Sequence, residues 1–289
     1  MKIVFLPLFV VPMFFVSQAL WAQSAGTIPY YGYEFNQNKS QLKNDELKLK
    51  IREILKSGHV ATSVQSEDQI VPSCDTLPNC KTQSSLGYDG ARLYLFGTFY
   101  LIPMGATYGV QEMYCDRIYT SADFKNGIGA PGPGIIPLGT VINTEHTWPQ
   151  SRFTGKYSKD LQKGDLHHLF PTDSRMNALR GSSIFGEVVK PSNKTNCTAS
   201  KYGQGEGTMR DVFEPPQHHK GRVARALFYF SIRYELPISQ EEEVMLKKWN
   251  RQNPPDDQEI LRNSVIQDKQ GNRNPFIDYH ELADQIQDF

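Results

Sequence analysis

The tightest constraint on the fold lies in the last third of the chain, where Val223, Leu227, Phe230 and Tyr234 recur at intervals of three and four residues. That is the spacing of one apolar stripe along a helix, and such a stripe must be buried against something else. Two more helical segments follow. Ser239 with Glu242 three residues later has the form of a capping box, and residues 256–268 repeat the pattern with Leu261 and Val265. Upstream, Leu47, Ile51 and Leu55 sit four apart within 42–56, predicting an amphipathic helix ended by Ser57 and Gly58. With 39% hydrophobic and 11% aromatic residues, the chain can build a substantial core. No internal repeat and no clear linker divides it, so the expectation is a single, mostly helical α+β domain.

The N-terminus reads as a leader. Met1 and Lys2 precede the apolar run 3–16, which is followed by small and polar residues offering cleavage after Ala19, Ala22 or Ser24. A membrane anchor would need roughly 20 apolar residues, and this run is shorter and broken by Pro7 and Pro12. The expected division is therefore a leader at 1–24, a helical and loop region at 25–87, and the main domain at 88–289, with no membrane attachment after cleavage. Export to the periplasm or beyond the cell fits the four cysteines, Cys74, Cys80, Cys115 and Cys197. Four cysteines permit three pairings. The short loop between Cys74 and Cys80 makes them the natural local pair, leaving Cys115 and Cys197 to join distant segments. Zinc is the rival account, but there is no C-x-x-C and export favours oxidation.

The middle of the chain supplies short strands. Residues 125–139 are rich in Gly and Pro and read as a long surface loop. The β-branched run Thr140–Thr144 then predicts a strand entering Glu145 and His146. Residues 165–170 (DLHHLF) alternate as a second strand, with Asp165 and His167 on one face and His168 on the other. Thr172 is the expected N-cap of a helix carrying Met176, Asn177 and Leu179 and stopped by Gly181. Two strands feeding one helix would gather Glu145, His146, Asp165, His167, His168 and Asn177. Carboxylate and amide oxygens suit a hard cation such as Mg²⁺ or Ca²⁺, and a neutral imidazole beside it can take a proton from water. The spacing is equally compatible with surface polarity, with core histidines or with zinc held by histidines, although H-E-x-x-H is absent. His59, His218, His219 and His280 lie elsewhere in the chain. No G-x-S-x-G motif and no phosphate-cradling Gly loop is present. The formal charge is balanced, with 31 basic and 31 acidic residues. A polyanionic partner would therefore have to meet a locally positive cleft rather than a basic protein.

The strings NTEHTWPQS at 143–151, GDLHHLFPTD at 164–173, MNALRG at 176–181 and FGEV at 185–188 closely resemble the endonuclease I family of secreted bacterial nucleases. The resemblance continues through VFEPP at 212–216, K-G-x-V-A-R-A at 220–226 and GNRNPFID at 271–278, and so covers roughly residues 88–283. It implies a ββα-metal (His-Me finger) core. It also implies a sequence-nonspecific endonuclease acting on DNA, with RNA a further candidate substrate, that leaves 5′-phosphate and 3′-hydroxyl ends. By the same resemblance His146 is the general base. Glu145 and Asn177 are the ligands of one divalent ion (Mg²⁺, or Ca²⁺ or Mn²⁺), and Arg180 is a candidate to hold a phosphate oxygen, against a plain ion pair at the helix end. Asp165 and His168 are supporting residues. Where some relatives carry an acid two positions before this Asp, the chain has Lys163, so any support that acid gives His146 is either absent or filled elsewhere. The alternatives are a phosphatase-like hydrolase of small phosphoesters and a catalytically silent exported binding protein of the same fold. A monomer is the favoured state.

Overall fold

The computed structural model describes residues 27–63 and 66–289; the expected leader lies outside the described residues. The helix predicted from the apolar stripe spans Gln217–Tyr234, and every residue from His219 to Tyr234 is buried. The stripe reading anticipated one buried face. The helix is instead surrounded, and its cations are matched one by one. Lys220 pairs with Glu187 and Glu214, Arg225 with Glu259 at 2.5 Å, and Arg222 with Asp256 at 2.6 Å. A buried charge without such a partner would be strongly unfavourable. Gly221 lets the neighbouring chain come close: a Cβ there would meet the Asn253 carbonyl oxygen at 2.3 Å.

Apolar clusters pack on either side of this helix. One joins Leu227, Phe228 and Trp249 to Tyr30, Phe35, Leu47, Ile51 and Leu55, so the helix Asn44–Lys56 docks with the predicted face inward. The other joins Ala226 to Leu95, Phe96, Val110, Ile142, Leu166, Leu169 and Phe170. Full burial of a side chain such as Leu227 stabilises the fold by about 1.5–3 kcal/mol. Residues 125–139 are irregular beyond a 3-10 turn at Lys125–Gly127. No helix among the described residues is long and apolar enough to cross a membrane.

The third predicted helix forms at Asp257–Gln270 but turns the other way. Leu261 is 57% exposed, while Glu259, Arg262, Asn263, Ile266 and Gln270 are buried. The polar face wins because the loop beside it presents backbone groups that need partners. Arg262 donates to the carbonyls of Leu166 and Leu169, and the Leu166 N–H donates to Gln270. The helix Gln240–Gln252 is capped by Ser239, whose hydroxyl accepts from the Glu242 N–H. The Glu242 carboxylate does not complete the box; it accepts from Arg152 and the Phe185 N–H.

Four small antiparallel sheets complete the described residues. Two strands, Ile142–His146 and Leu169–Asp173, form the smallest, with Glu145 opposite Phe170 and His146 opposite Leu169. The second strand thus begins four residues later than its alternation suggested. Residues Leu166–His168 form a 3-10 turn because the Asp165 side chain accepts from the His167 N–H and caps it. Pro171 lies within the strand. It has no N–H to donate, but its carbonyl accepts from Met113 at 2.9 Å. Asp173, not Thr172, caps the helix Ser174–Arg180 by accepting from Arg175 and Met176.

Both disulfides pair as spacing suggested, Cys74 with Cys80 and Cys115 with Cys197. The second closes a sequence separation of 82 residues and ties the connection between the strands Thr107–Gln111 and Ile118–Thr120 to that between Val188–Pro191 and Lys201–Gly205. Replacing Cys115 and Cys197 together by Ser is expected to cost about 2–4 kcal/mol of unfolding free energy in a denaturant titration. An unchanged midpoint would show that the loop needs no covalent tie.

Candidate active site

The end of the strand Ile142–His146 and the helix Ser174–Arg180 face a cavity of about 310 Å³. Its wall includes Thr144, Glu145, His146, Gln150, Asn177, Arg180 and, from a separate helix at Gly87–Tyr94, Tyr88. The fold therefore gathers four of the six residues singled out from the sequence. Asp165 and His168 lie behind this wall.

Glu145 is 1% exposed. Its Oε1 accepts from Arg180 Nη1 at 2.8 Å and from the Tyr114 hydroxyl at 2.8 Å. Both donors go to one oxygen, and among the described residues none reaches Oε2. Burial lifts the carboxyl above its ordinary range, while Arg180 and Tyr114 pull the other way. Asn177 has a defined amide orientation, because Nδ2 donates to Asn143 Oδ1 at 2.7 Å and to the Thr144 carbonyl at 3.2 Å. Its Oδ1 thereby has no donor among the described residues. One carboxylate oxygen and one amide oxygen without protein donors fit a hard cation that keeps water and phosphate in its remaining positions. Among the described residues, no group of three or more His, Cys, Asp or Glu side chains is placed to hold a metal, which disfavours the alternative of zinc in a histidine cage.

His146 is 8% exposed. Its Nε2 lies 3.2 Å from the Lys163 carbonyl oxygen, an acceptor only, so this nitrogen carries the hydrogen. Nδ1 then holds the lone pair, with the Gln150 amide 3.5 Å away. Burial pushes its pKa down to about 4, only partly opposed by that carbonyl, so the imidazole is neutral at pH 7. The support expected from an acid at position 163 is supplied by the backbone of Lys163 itself.

Arg180 is 1% exposed and its guanidinium turns inward. Besides Glu145, Nη1 reaches the His146 carbonyl at 3.0 Å and Nη2 the Thr147 carbonyl at 2.7 Å, and the group stacks over Phe185 at 4.4 Å. The buried ion pair, not an open phosphate clamp, is the arrangement observed. His168 is fully buried: Nε2 donates to the Gln162 carbonyl at 2.9 Å, and its ring lies 5.4 Å from His146 and 4.3 Å from Phe230. Asp165 accepts from Gln83, Tyr229, Tyr234, Gln270 and the His167 N–H, at 2.8–3.0 Å. Burial alone would raise its pKa; His167, His168 and these donors hold it below the ordinary value. Its place is as an anchor for the turn, away from the cavity.

Sequence reading missed Tyr114, Tyr88 and Gln150. Tyr114 precedes Cys115, and the staple to Cys197 is the one local sign that its position matters. Nothing local marks Tyr88, which approaches only through the packing of its helix.

Two consequences follow for stability. Arg180→Ala would leave Glu145 buried and uncompensated, with an expected loss of about 3–5 kcal/mol. Adding Glu145→Gln should recover much of it; a neutral result for the single variant would show the pair contributes nothing. His167 is fully buried, and burial depresses it from 6.5 to about 4 despite Asp165. The unfolded chain therefore binds protons that the folded chain does not, and stability should fall as pH drops from about 6.5 towards 4. Thermal unfolding followed across that range would contradict this if the midpoint stayed flat.

The profile of the endonuclease I family matches residues 107–281, a stretch containing both site strands, the helix Ser174–Arg180 and the long helix. The extracellular ribonuclease of Bacillus subtilis is 36% identical over 166 residues, covering 50% of this chain and 53% of that protein. An extracellular deoxyribonuclease of Aeromonas hydrophila is 33% identical over 151 residues, covering 50% of this chain and 63% of the other. Endonuclease-1 of Buchnera aphidicola is 28% identical over 121 residues, covering 41% of this chain and 46% of the other. The chain thus spans only about half to three fifths of the length of these relatives. The family match itself covers more than half of the chain and contains every residue of the cavity wall named above except Tyr88, so the protein belongs to the endonuclease I family.

Proposed function

We propose that the protein is an exported, metal-dependent endonuclease that hydrolyses DNA, and RNA as well, without reading sequence. The observation that carries this is the pairing, in one cavity, of a neutral imidazole whose Nδ1 holds its lone pair, with the Gln150 amide 3.5 Å away, and two oxygens that lack donors among the described residues. Relatives named as extracellular ribonuclease and extracellular deoxyribonuclease support a nucleic-acid substrate, export and a tolerance for either sugar. A periplasmic deoxyribonuclease of Aeromonas hydrophila, 31% identical over 120 residues, supports the periplasm as the alternative destination.

In this reading Glu145 Oε2 and Asn177 Oδ1 hold one divalent ion, Mg²⁺ being the expected one, with Ca²⁺ or Mn²⁺ as substitutes. When bound, the ion polarises the scissile phosphate and offsets charge at the leaving oxygen. His146 takes a proton from water at Nδ1, and the Lys163 carbonyl keeps the ring turned the right way. The water oxygen bonds to phosphorus as the bond to the 3′ oxygen breaks, and that oxygen takes a proton from solvent water. The products are a 5′-phosphate and a 3′-hydroxyl. Arg180 and Tyr114 act through Glu145, fixing the carboxylate so that its second oxygen faces the cavity. His168 and Phe230 support the imidazole from behind.

The test is cleavage of supercoiled plasmid with and without EDTA. Nicked and linear products should appear only with a divalent ion. His146→Ala should reduce turnover by roughly a hundredfold or more, the scale of a general base, while DNA binding persists. No cleavage with any divalent ion would defeat the reading; normal turnover by the variant would remove His146 from the role of base.

A further inference from the structure

A chain with no net charge that handles a polyanion needs local cations at the cavity. Tyr88 leads to them. Its ring lies 5.3 Å from the His146 ring. Lys163 Nζ sits 4.1 Å from the Tyr88 ring centroid, and the Arg92 guanidinium sits 5.4 Å from it. Among the described residues Lys163 has no carboxylate within ion-pair distance, and Arg92 has only Asp89, at 3.2 Å and on the surface with 83% of its side chain exposed. Such a surface pair yields readily to a competing anion. Tyr88 lines the cavity, and its hydroxyl has no partner among the described residues. One aromatic ring therefore holds two available cations and a free hydroxyl donor beside the imidazole.

We propose that Tyr88, Lys163 and Arg92 form a subsite for a phosphate of the nucleic-acid backbone next to the one being cleaved. This rests on the nuclease reading above. Lys163 joins the two functions. Its carbonyl orients His146 and its ammonium, steadied over the Tyr88 ring, meets the strand. Replacing its side chain leaves the carbonyl in place, so strand binding can be altered without removing that support. Tyr88 and Arg92 precede the stretch 107–281 that carries the family match. This part of the grip on substrate is thus contributed by a segment outside it. Contacts of this kind bind ground state and transition state alike, and their loss raises KM more than it lowers kcat.

The experiment measures binding and turnover separately in the full-length mature chain. Binding of a fluorescent single-stranded DNA oligonucleotide is followed by anisotropy over a NaCl series in Mg²⁺, with His146→Ala present to stop cleavage. Adding Lys163→Gln should reduce the magnitude of the log K against log salt slope by about 0.7, one phosphate's worth for a single strand; Lys163→Arg should restore it. Tyr88→Phe should weaken binding with the slope unchanged. With His146 intact, Lys163→Gln and Tyr88→Phe should each raise KM severalfold and affect kcat less. A wild-type slope for Lys163→Gln, or an effect confined to kcat, would overturn the subsite. Tight salt-dependent binding without turnover in any divalent ion would sink the nuclease reading and leave the subsite standing. Absence of binding would sink both.

Discussion

The cavity depends on one buried ion pair. Glu145 is taken out of water almost completely, and a lone carboxylate there would not stay ionised at tolerable cost. Arg180 and Tyr114 spend their donors on the same oxygen, which compensates the charge and leaves the other oxygen to the cavity. Arg180 also grips the carbonyls of His146 and Thr147. The helix Ser174–Arg180 is thereby fixed to the strand end that carries the imidazole. In the proposed mechanism, one guanidinium so sets the ligand, the base and the helix bearing Asn177 relative to one another.

Around this pair, much of the interior is polar, with its cationic groups hydrogen-bonded. The long helix is buried on all sides because its Lys and Arg residues each reach a carboxylate or an amide. The 3-10 turn at Leu166–His168 is held by Asp165, Gln270 and Arg262. Those contacts place His168 against His146. A rigid polar scaffold of this sort suits a site whose geometry must be in place before substrate arrives.

What could be read from the sequence divides along physical lines. Leu47, Ile51 and Leu55, the Gln217–Tyr234 helix and both disulfides were legible because each follows from local periodicity or spacing. The grouping of Glu145, His146 and Asn177 was legible because one strand pair and one short helix carry all three. The second strand was misplaced because DLHHLF alternates like a strand, while the Asp165 cap, which stops it, depends on the turn that it creates. The face of Asp257–Gln270 was misread because burial there follows hydrogen bonds to Leu166 and Leu169, not hydrophobicity. Tyr88 was invisible because long-range packing alone brings it to the site, and Tyr114 had only its neighbour Cys115 to mark it.

The central claim is a division of labour between neighbours, in which Glu145 and Asn177 hold the ion and His146 moves the proton. Mn²⁺ binding to the full-length mature chain, read by electron paramagnetic resonance, tests it most directly. Asn177→Ala should lose most of the bound Mn²⁺ while remaining folded, and His146→Ala should bind it as the parent does. The opposite pattern, with His146→Ala losing the ion and Asn177→Ala retaining it, would contradict the account.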